Sequence, residues 1–118
     1  MIRRADQRRA QIRNQVRGGK GDAVFAHVWE SGKEELNDNM RLYAVITLKA
    51  GDSIGYHVHE GEDELYFILS GKALYDDNGV KENLFPGDSS ITRSGEGHGI
   101  ESAGPEDLVL LAVIVKNK

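Results

Sequence analysis

Two histidines two residues apart, His57 and His59, precede a carboxylate-rich loop, and the next strand-like run opens on Glu64. On an extended strand, positions i and i+2 face the same side about 7 Å apart at Cα, so both imidazoles share one face. Two adjacent imidazoles resist double protonation, and metal binding is one arrangement in which both are neutral and useful. Glu64 follows His59 by five residues, after the tight loop Glu60-Gly61-Glu62-Asp63. A hairpin of that length brings Glu64 back beside the histidines on the neighbouring strand. His98 follows a second glycine-rich stretch and begins another strand, so a closed barrel lets it complete the set. Of four histidines in the chain, three fall in this constellation. Taken alone, a His-x-His pair is usually structural or incidental; Glu64, His98 and the framing glycines in register favour a metal site.

The elements that must position these residues are short strands. Ala23 to Glu30 (AVFAHVWE) is rich in β-branched and aromatic residues, and Arg41 to Lys49 alternates Leu42, Ala44, Ile46 and Leu48 with more polar neighbours. Gly51-Asp52 is a turn before a short extended piece, Gly55 to His59. Glu64 to Leu69 (ELYFIL) is strongly apolar; if Glu64 faces inward, Tyr66 and Ile68 share its face. Asp76-Asp77-Asn78-Gly79 is the clearest hairpin turn, between Ala73 to Tyr75 and Lys81 to Phe85. Ser89 to Thr92 and His98 to Glu101 flank a glycine-rich loop, and Leu108 to Val115 (LVLLAVIV) closes the chain. Short strands at even spacing, with no helical pattern between them, predict an antiparallel sandwich or barrel.

Before the strands lies an arm of different character. Six of fifteen basic residues (Arg3, Arg4, Arg8, Arg9, Arg13, Arg17) fall in positions 1–17 with only Asp6 opposing them. The remainder carries nine basic and eighteen acidic side chains, so a basic arm precedes an acidic body. Ile2, Ala5, Ile12 and Val16 give a thin apolar stripe, which predicts a short amphipathic helix over 1–17. It ends at Gly-Gly-Lys-Gly-Asp, and the main domain spans 23–118. No aromatic interleaves the arginines and no groove-binding motif follows them, so nucleic-acid binding is not expected. A length of 118 residues allows one core. The chain has no cysteine, which excludes disulfides, thiolate metal sites and a catalytic thiol. Neither an 18-residue apolar run nor a secretory signal pattern is present, so no membrane contact and a cytoplasmic location are expected.

Residues 51 to 71 resemble the first motif of the cupin superfamily: glycine, five residues, His-x-His, four residues, glutamate, six residues, glycine. Gly51, His57, His59, Glu64 and Gly71 match at every defined position. Residues 87 to 102 resemble the second motif through Gly87, Gly95 and His98, while Arg93 stands in place of the usual proline and Ser102 in place of the usual asparagine. The resemblance implies an all-β double-stranded β-helix of the jelly-roll kind, here with the short N-terminal helix, and a metal in its mouth. Carried over by position, His57, His59, Glu64 and His98 would be the ligands. Three neutral imidazoles and one carboxylate leave a divalent transition metal (Mn, Fe, Ni, Co or Zn) with a net charge of about +1, and an octahedral ion keeps about two positions for water or a bidentate oxygen ligand.

Further candidates surround this set. Tyr66 can donate to a substrate or simply pack, and Arg93 and Glu96 can bind an anion or exchange protons, or remain solvated. His27 is not assigned to the metal; with Trp29 it is read as packing at a subunit contact. Glu60, Glu62 and Asp63 read as a solvated acidic rim. The closing strand is apolar on both faces, too much for an edge strand in water. As small cupins do, the chain is therefore expected to form a homodimer, with the arm docked across its partner. Two function classes follow: a metal-dependent enzyme on a small oxygen-rich substrate (carboxylic acid, sugar derivative or enol; decarboxylase, isomerase, lyase or dioxygenase type), which leads, and a non-catalytic module that binds or senses a small ligand.

Overall fold

The computed structural model describes residues 1–117 and contains ten strands: β1 Arg9–Asn14, β2 Asp22–Trp29, β3 Met40–Leu48, β4 Ser53–Val58, β5 Glu62–Ser70, β6 Ala73–Asp77, β7 Val80–Leu84, β8 Ser89–Thr92, β9 Gly97–Ser102 and β10 Leu108–Lys116. They form two antiparallel sheets, one ordered β1-β2-β3-β10-β5-β8 and the other β4-β9-β6-β7. This is the jelly-roll arrangement expected from the motifs. Among the described residues no helix is long and apolar enough to cross a membrane.

Alternation within the strands builds the core. Ala44, Ile46 and Leu48 of β3, Ile68 of β5, and Leu108, Leu110 and Ala112 of β10 are all buried and point between the sheets. A fully buried Leu or Ile contributes about 1.5–3 kcal/mol relative to exposure. On β5 the period of two buries Glu64, Tyr66 and Ile68 and turns Leu65, Phe67 and Leu69 outward. The inward face therefore carries the buried Glu64 carboxylate into the barrel interior. The hairpin between β6 and β7 turns at Asn78 (φ 51°) and Gly79 (φ 92°), the left-handed pair that a two-residue turn requires.

Two expectations are corrected. The N-terminal arm is not a helix: single 3₁₀ turns at Ala5–Gln7 and Val16–Gly18 flank strand β1, which pairs with β2 from Arg9 opposite His27 to Asn14 opposite Asp22. The stripe of Ile2, Ala5, Ile12 and Val16 is consequently broken up. Ile2 and Ile12 are 73% and 70% exposed, and only Val16 packs on the core. Backbone pairing with an open sheet edge outweighs the weak helical pattern. The arm's charge is partly answered within the chain: Glu35 accepts hydrogen bonds from Arg3 and Arg9, and Arg3 lies over Trp29 with its guanidinium 4.8 Å from the ring centroid.

The second correction concerns Glu64. Strand β4 pairs with β9, whereas β5 pairs with β10 and β8. The loop after β4 thus crosses from one sheet to the other, and Glu64 meets the histidines across the barrel interior instead of beside them on a paired strand.

Candidate metal centre

His57 sits on β4 directly opposite His98 on β9, and a register shift between Ile54 and His57 re-aims the end of β4 into the barrel. His59 lies just beyond β4. Its backbone N–H donates to the Glu96 carbonyl (3.0 Å), and its carbonyl accepts from the Gly95 N–H (2.7 Å), so the glycine-rich loop before β9 fixes its position. The Nε2 atoms of His57 and His59 are 3.1 Å apart, as are those of His59 and His98. Glu64 Oε1 lies 2.9 Å from His59 Nε2, 3.0 Å from His98 Nε2 and 3.9 Å from His57 Nε2. One potential ligand atom from each of these four residues falls within 4.8 Å of all the others, and three of the residues are buried.

The outer ring nitrogens decide what these atoms are. His57 Nδ1 donates to the Gly55 carbonyl at 2.7 Å, and His59 Nδ1 donates to Glu62 Oε1 at 3.0 Å. A carbonyl and an ionised carboxylate can only accept, so each Nδ1 carries the proton and each Nε2 is left as a lone pair in the neutral ring. His98 Nδ1 lies 2.9 Å from the Tyr75 hydroxyl, which in turn is 3.1 Å from Thr92 Oγ1. Tyr75 can accept from His98 and donate to Thr92, which leaves His98 Nε2 in the same state. With all three rings neutral, three Nε2 atoms and a carboxylate oxygen converge in a buried space, where a cation placed among them would satisfy all four. The donor set of imidazole nitrogen and carboxylate oxygen suits a divalent transition metal. This cluster can hold a metal ion.

Ionisation follows the same geometry. Burial alone would raise the Glu64 pKa, but the imidazoles of His57, His59 and His98 outweigh it and hold the carboxyl well below the usual range. The Glu64 carboxylate raises the His59 pKa against the opposing effect of burial, with Glu62 adding to the rise. Burial lowers the His98 pKa despite Glu64. Tyr66 is pushed well above its ordinary value, mainly by burial, and remains a neutral phenol; its ring stacks on His98 with centroids 4.9 Å apart.

A cavity of about 130 Å³ opens beside the cluster. Its walls include His57, His59, Glu64 and Tyr66 from the barrel interior, and Arg13 and Arg17 from the arm. His27 lines the same cavity and lies 3.2 Å from Gln11, so its ring faces this interior. Arg93 and Glu96 lie elsewhere: they face each other on the exposed loop, where the Arg93 N–H donates to Glu96 Oε1 at 2.8 Å. Ser102, in place of the usual asparagine, is buried in the β9 end, and its backbone bonds to Gly51 and Asp52 preserve the local strand closure.

Two residues escaped the sequence reading. Glu62 is not solvated rim: it is mostly buried, accepts from His59, and receives a bidentate pair from Arg41 at 2.8 and 2.7 Å. Its position two residues before Glu64 on one strand face was the available signal. Tyr75 was the other; its alternation with Ala73 marks it as inward.

Comparison with known proteins agrees with this architecture. The family described as "Cupin domain" matches residues 44–114. An oxalate-binding protein of Thermotoga maritima is 45% identical over 100 residues, covering 85% of this chain and 81% of that protein. The crystal structure of a predicted oxalate decarboxylase from Thermotoga maritima superimposes with a TM-score of 0.91 at 40% identity, covering 98% of this chain and 99% of the other. KdgF from Halomonas sp. shares the fold at a TM-score of 0.77 and 16% identity, covering 100% of this chain and 94% of its own. With a matching domain across most of the chain and a four-residue cluster at the positions of its two motifs, the protein belongs to the cupin family.

Proposed function

We propose that His57, His59, Glu64 and His98 hold a divalent transition metal (Mn, Fe, Ni, Co or Zn), and that the protein is a metal-dependent enzyme acting on a small carboxylic acid of the oxalate class. The observation that carries this reading is the convergence of three histidine Nε2 atoms on one buried carboxylate. When bound, the ion supplies a Lewis acid that polarises a carboxylate or carbonyl oxygen, or lowers the pKa of a bound water. The chain's own residues do the rest. Glu62, the Gly55 carbonyl and Tyr75 orient the three imidazoles; Glu64 balances charge; Tyr66, a neutral phenol on the same face, can donate a proton or hydrogen bond toward a ligand oxygen. The small cavity suits a molecule of few atoms, and the two relatives named for oxalate support the substrate class.

The experiment is to load the protein with each metal in turn, supply ¹³C-oxalate, and follow formate and carbon dioxide by NMR. Turnover that disappears in His59→Ala supports the enzyme. Tight binding with oxalate recovered unchanged favours the second reading, a module that holds the ligand, to which the name of the oxalate-binding relative points.

The same reading includes a homodimer. Leu65, Phe67, Leu69 and Ile91 are 40%, 44%, 46% and 48% exposed on the outer face of the six-stranded sheet, where Leu111 and Val113 are only half-buried. An apolar face of this kind marks an interaction surface, and a second copy of the chain is the proposed occupant.

A further inference from the structure

We infer that Arg13 and Arg17 of the N-terminal arm form the anion-recognising wall of the barrel cavity and select a doubly charged carboxylate over a singly charged one. The inference rests on the metal-centre reading and specifies how a ligand is chosen there. Both arginines line the cavity that His57, His59 and Glu64 line from the other side. Arg41 lines it too, but its charge is paired bidentately with Glu62 through Nε and Nη2. Among the described residues neither Arg13 nor Arg17 has a carboxylate within 4.0 Å, although the body of the chain is acidic. Arg13 meets only the neutral Gln11 amide oxygen, at 3.3 and 3.1 Å. Two uncompensated positive charges thus share a small cavity with a cluster built for a cation.

Their placement is enforced by the backbone. In the β1–β2 register Gln11 and Arg13 stand opposite Phe25 and Ala23, which are both buried, so their side chains lie on the core-facing side of the sheet, exposed at its edge, while Ile12 lies on the other side. The Arg13 guanidinium lies 4.3 Å over the Phe25 ring, a position that limits its freedom, and its Nε and Nη2 are held only by the neutral Gln11 Oε1, which an anion can displace. Arg17 occupies the left-handed region (φ 54°, ψ 33°), two residues after Gln15 at φ 48°. Such conformations persist only where surrounding contacts impose them. Here the Gly19 N–H donates to the Val16 carbonyl, Val16 packs on the core, and the arm's backbone runs against β4 so closely that a Cβ on Gly55 would stand 2.2 Å from the Arg17 carbonyl. The arm is therefore a fixed wall over the mouth. An ion held by three neutral imidazoles and one carboxylate keeps a net charge of about +1, so with two arginines added, a dianion is matched better than a monoanion.

The test compares oxalate with oxamate, in which an amide replaces one carboxylate. Titration calorimetry on the full chain loaded with Mn²⁺ measures both affinities for wild type, Arg13→Gln, Arg17→Gln and Arg13→Lys. Wild type is expected to prefer oxalate by tenfold or more. Each glutamine variant should weaken oxalate at least tenfold and oxamate less than threefold, with Mn²⁺ content unchanged; Arg13→Lys should fall between. If a variant at position 17 does not fold, the two position 13 variants still decide. Oxalate affinity and selectivity unchanged in folded variants would overturn the role of the arm while leaving the ligand reading intact. Wild type that binds Mn²⁺ yet ignores oxalate would overturn both.

Discussion

Glu62 Oε1 accepts the Nδ1 proton of His59 across 3.0 Å, while the same carboxylate is gripped by Arg41. The pair sets the tautomer of His59 and turns its lone pair toward Glu64. Groups of this kind, one bond away from a ligand, commonly tune metal affinity by about 10–100-fold. Glu62→Gln should weaken metal binding by an amount in that range without loss of fold. Competition against a chelator of known affinity measures it, and an affinity equal to wild type would remove Glu62 from the site.

Loss of a ligand should have a larger effect. Glu64→Gln removes the one negative charge from a space lined by three imidazoles, so metal content by elemental analysis should fall close to zero. If the variant retains a full complement of metal, Glu64 is not a ligand.

Protons compete with the metal for the imidazoles. Glu64 raises the pKa of His59, so protonation of that ring sets in at a higher pH than for an ordinary histidine. The sign is fixed: metal affinity is greatest above this raised value and falls as pH drops through it. Metal titrations between mildly alkaline and mildly acidic pH test this, and affinity that stays level down to the ordinary histidine range would contradict it.

The two faces of β5 should respond differently to substitution. Ile68 is 0% exposed, and Ile68→Ala should cost about 2–5 kcal/mol through lost burial and a residual cavity. Phe67, its outward neighbour, should tolerate Phe67→Glu with little loss of monomer stability, yet that charge should dissociate the proposed dimer. Chemical denaturation reads the first effect and light scattering on the sized protein reads the second; a Phe67→Glu variant with the mass of wild-type dimer would place the interface elsewhere.

Much of this arrangement is legible in the sequence because it depends on local period. The alternation that buries Glu64, Tyr66 and Ile68 is a property of β5 alone, and the spacing of His57 and His59 needs only an extended segment, whereas Glu64 joins them through a crossing between sheets. The arm was misread for the opposite reason. Its strand exists because β2 offers an unpaired edge, and nothing within residues 1–17 records that. Glu62 was passed over because a carboxylate in a Gly-Glu-Asp loop looks solvated until its partners, Arg41 and His59, are known from a distant strand and a crossing between sheets.

The close approach of Gly19 and Gly55 carries a consequence for how the protein can change. A Cβ on Gly19 would stand 2.2 Å from the Ser53 carbonyl, just as one on Gly55 would strike Arg17. The arm is therefore seated on β4 by main chain against main chain, a fit that is insensitive to the side chains at positions 13 and 17. Any residue larger than glycine at 19 or 55 would force the arm to shift on β4.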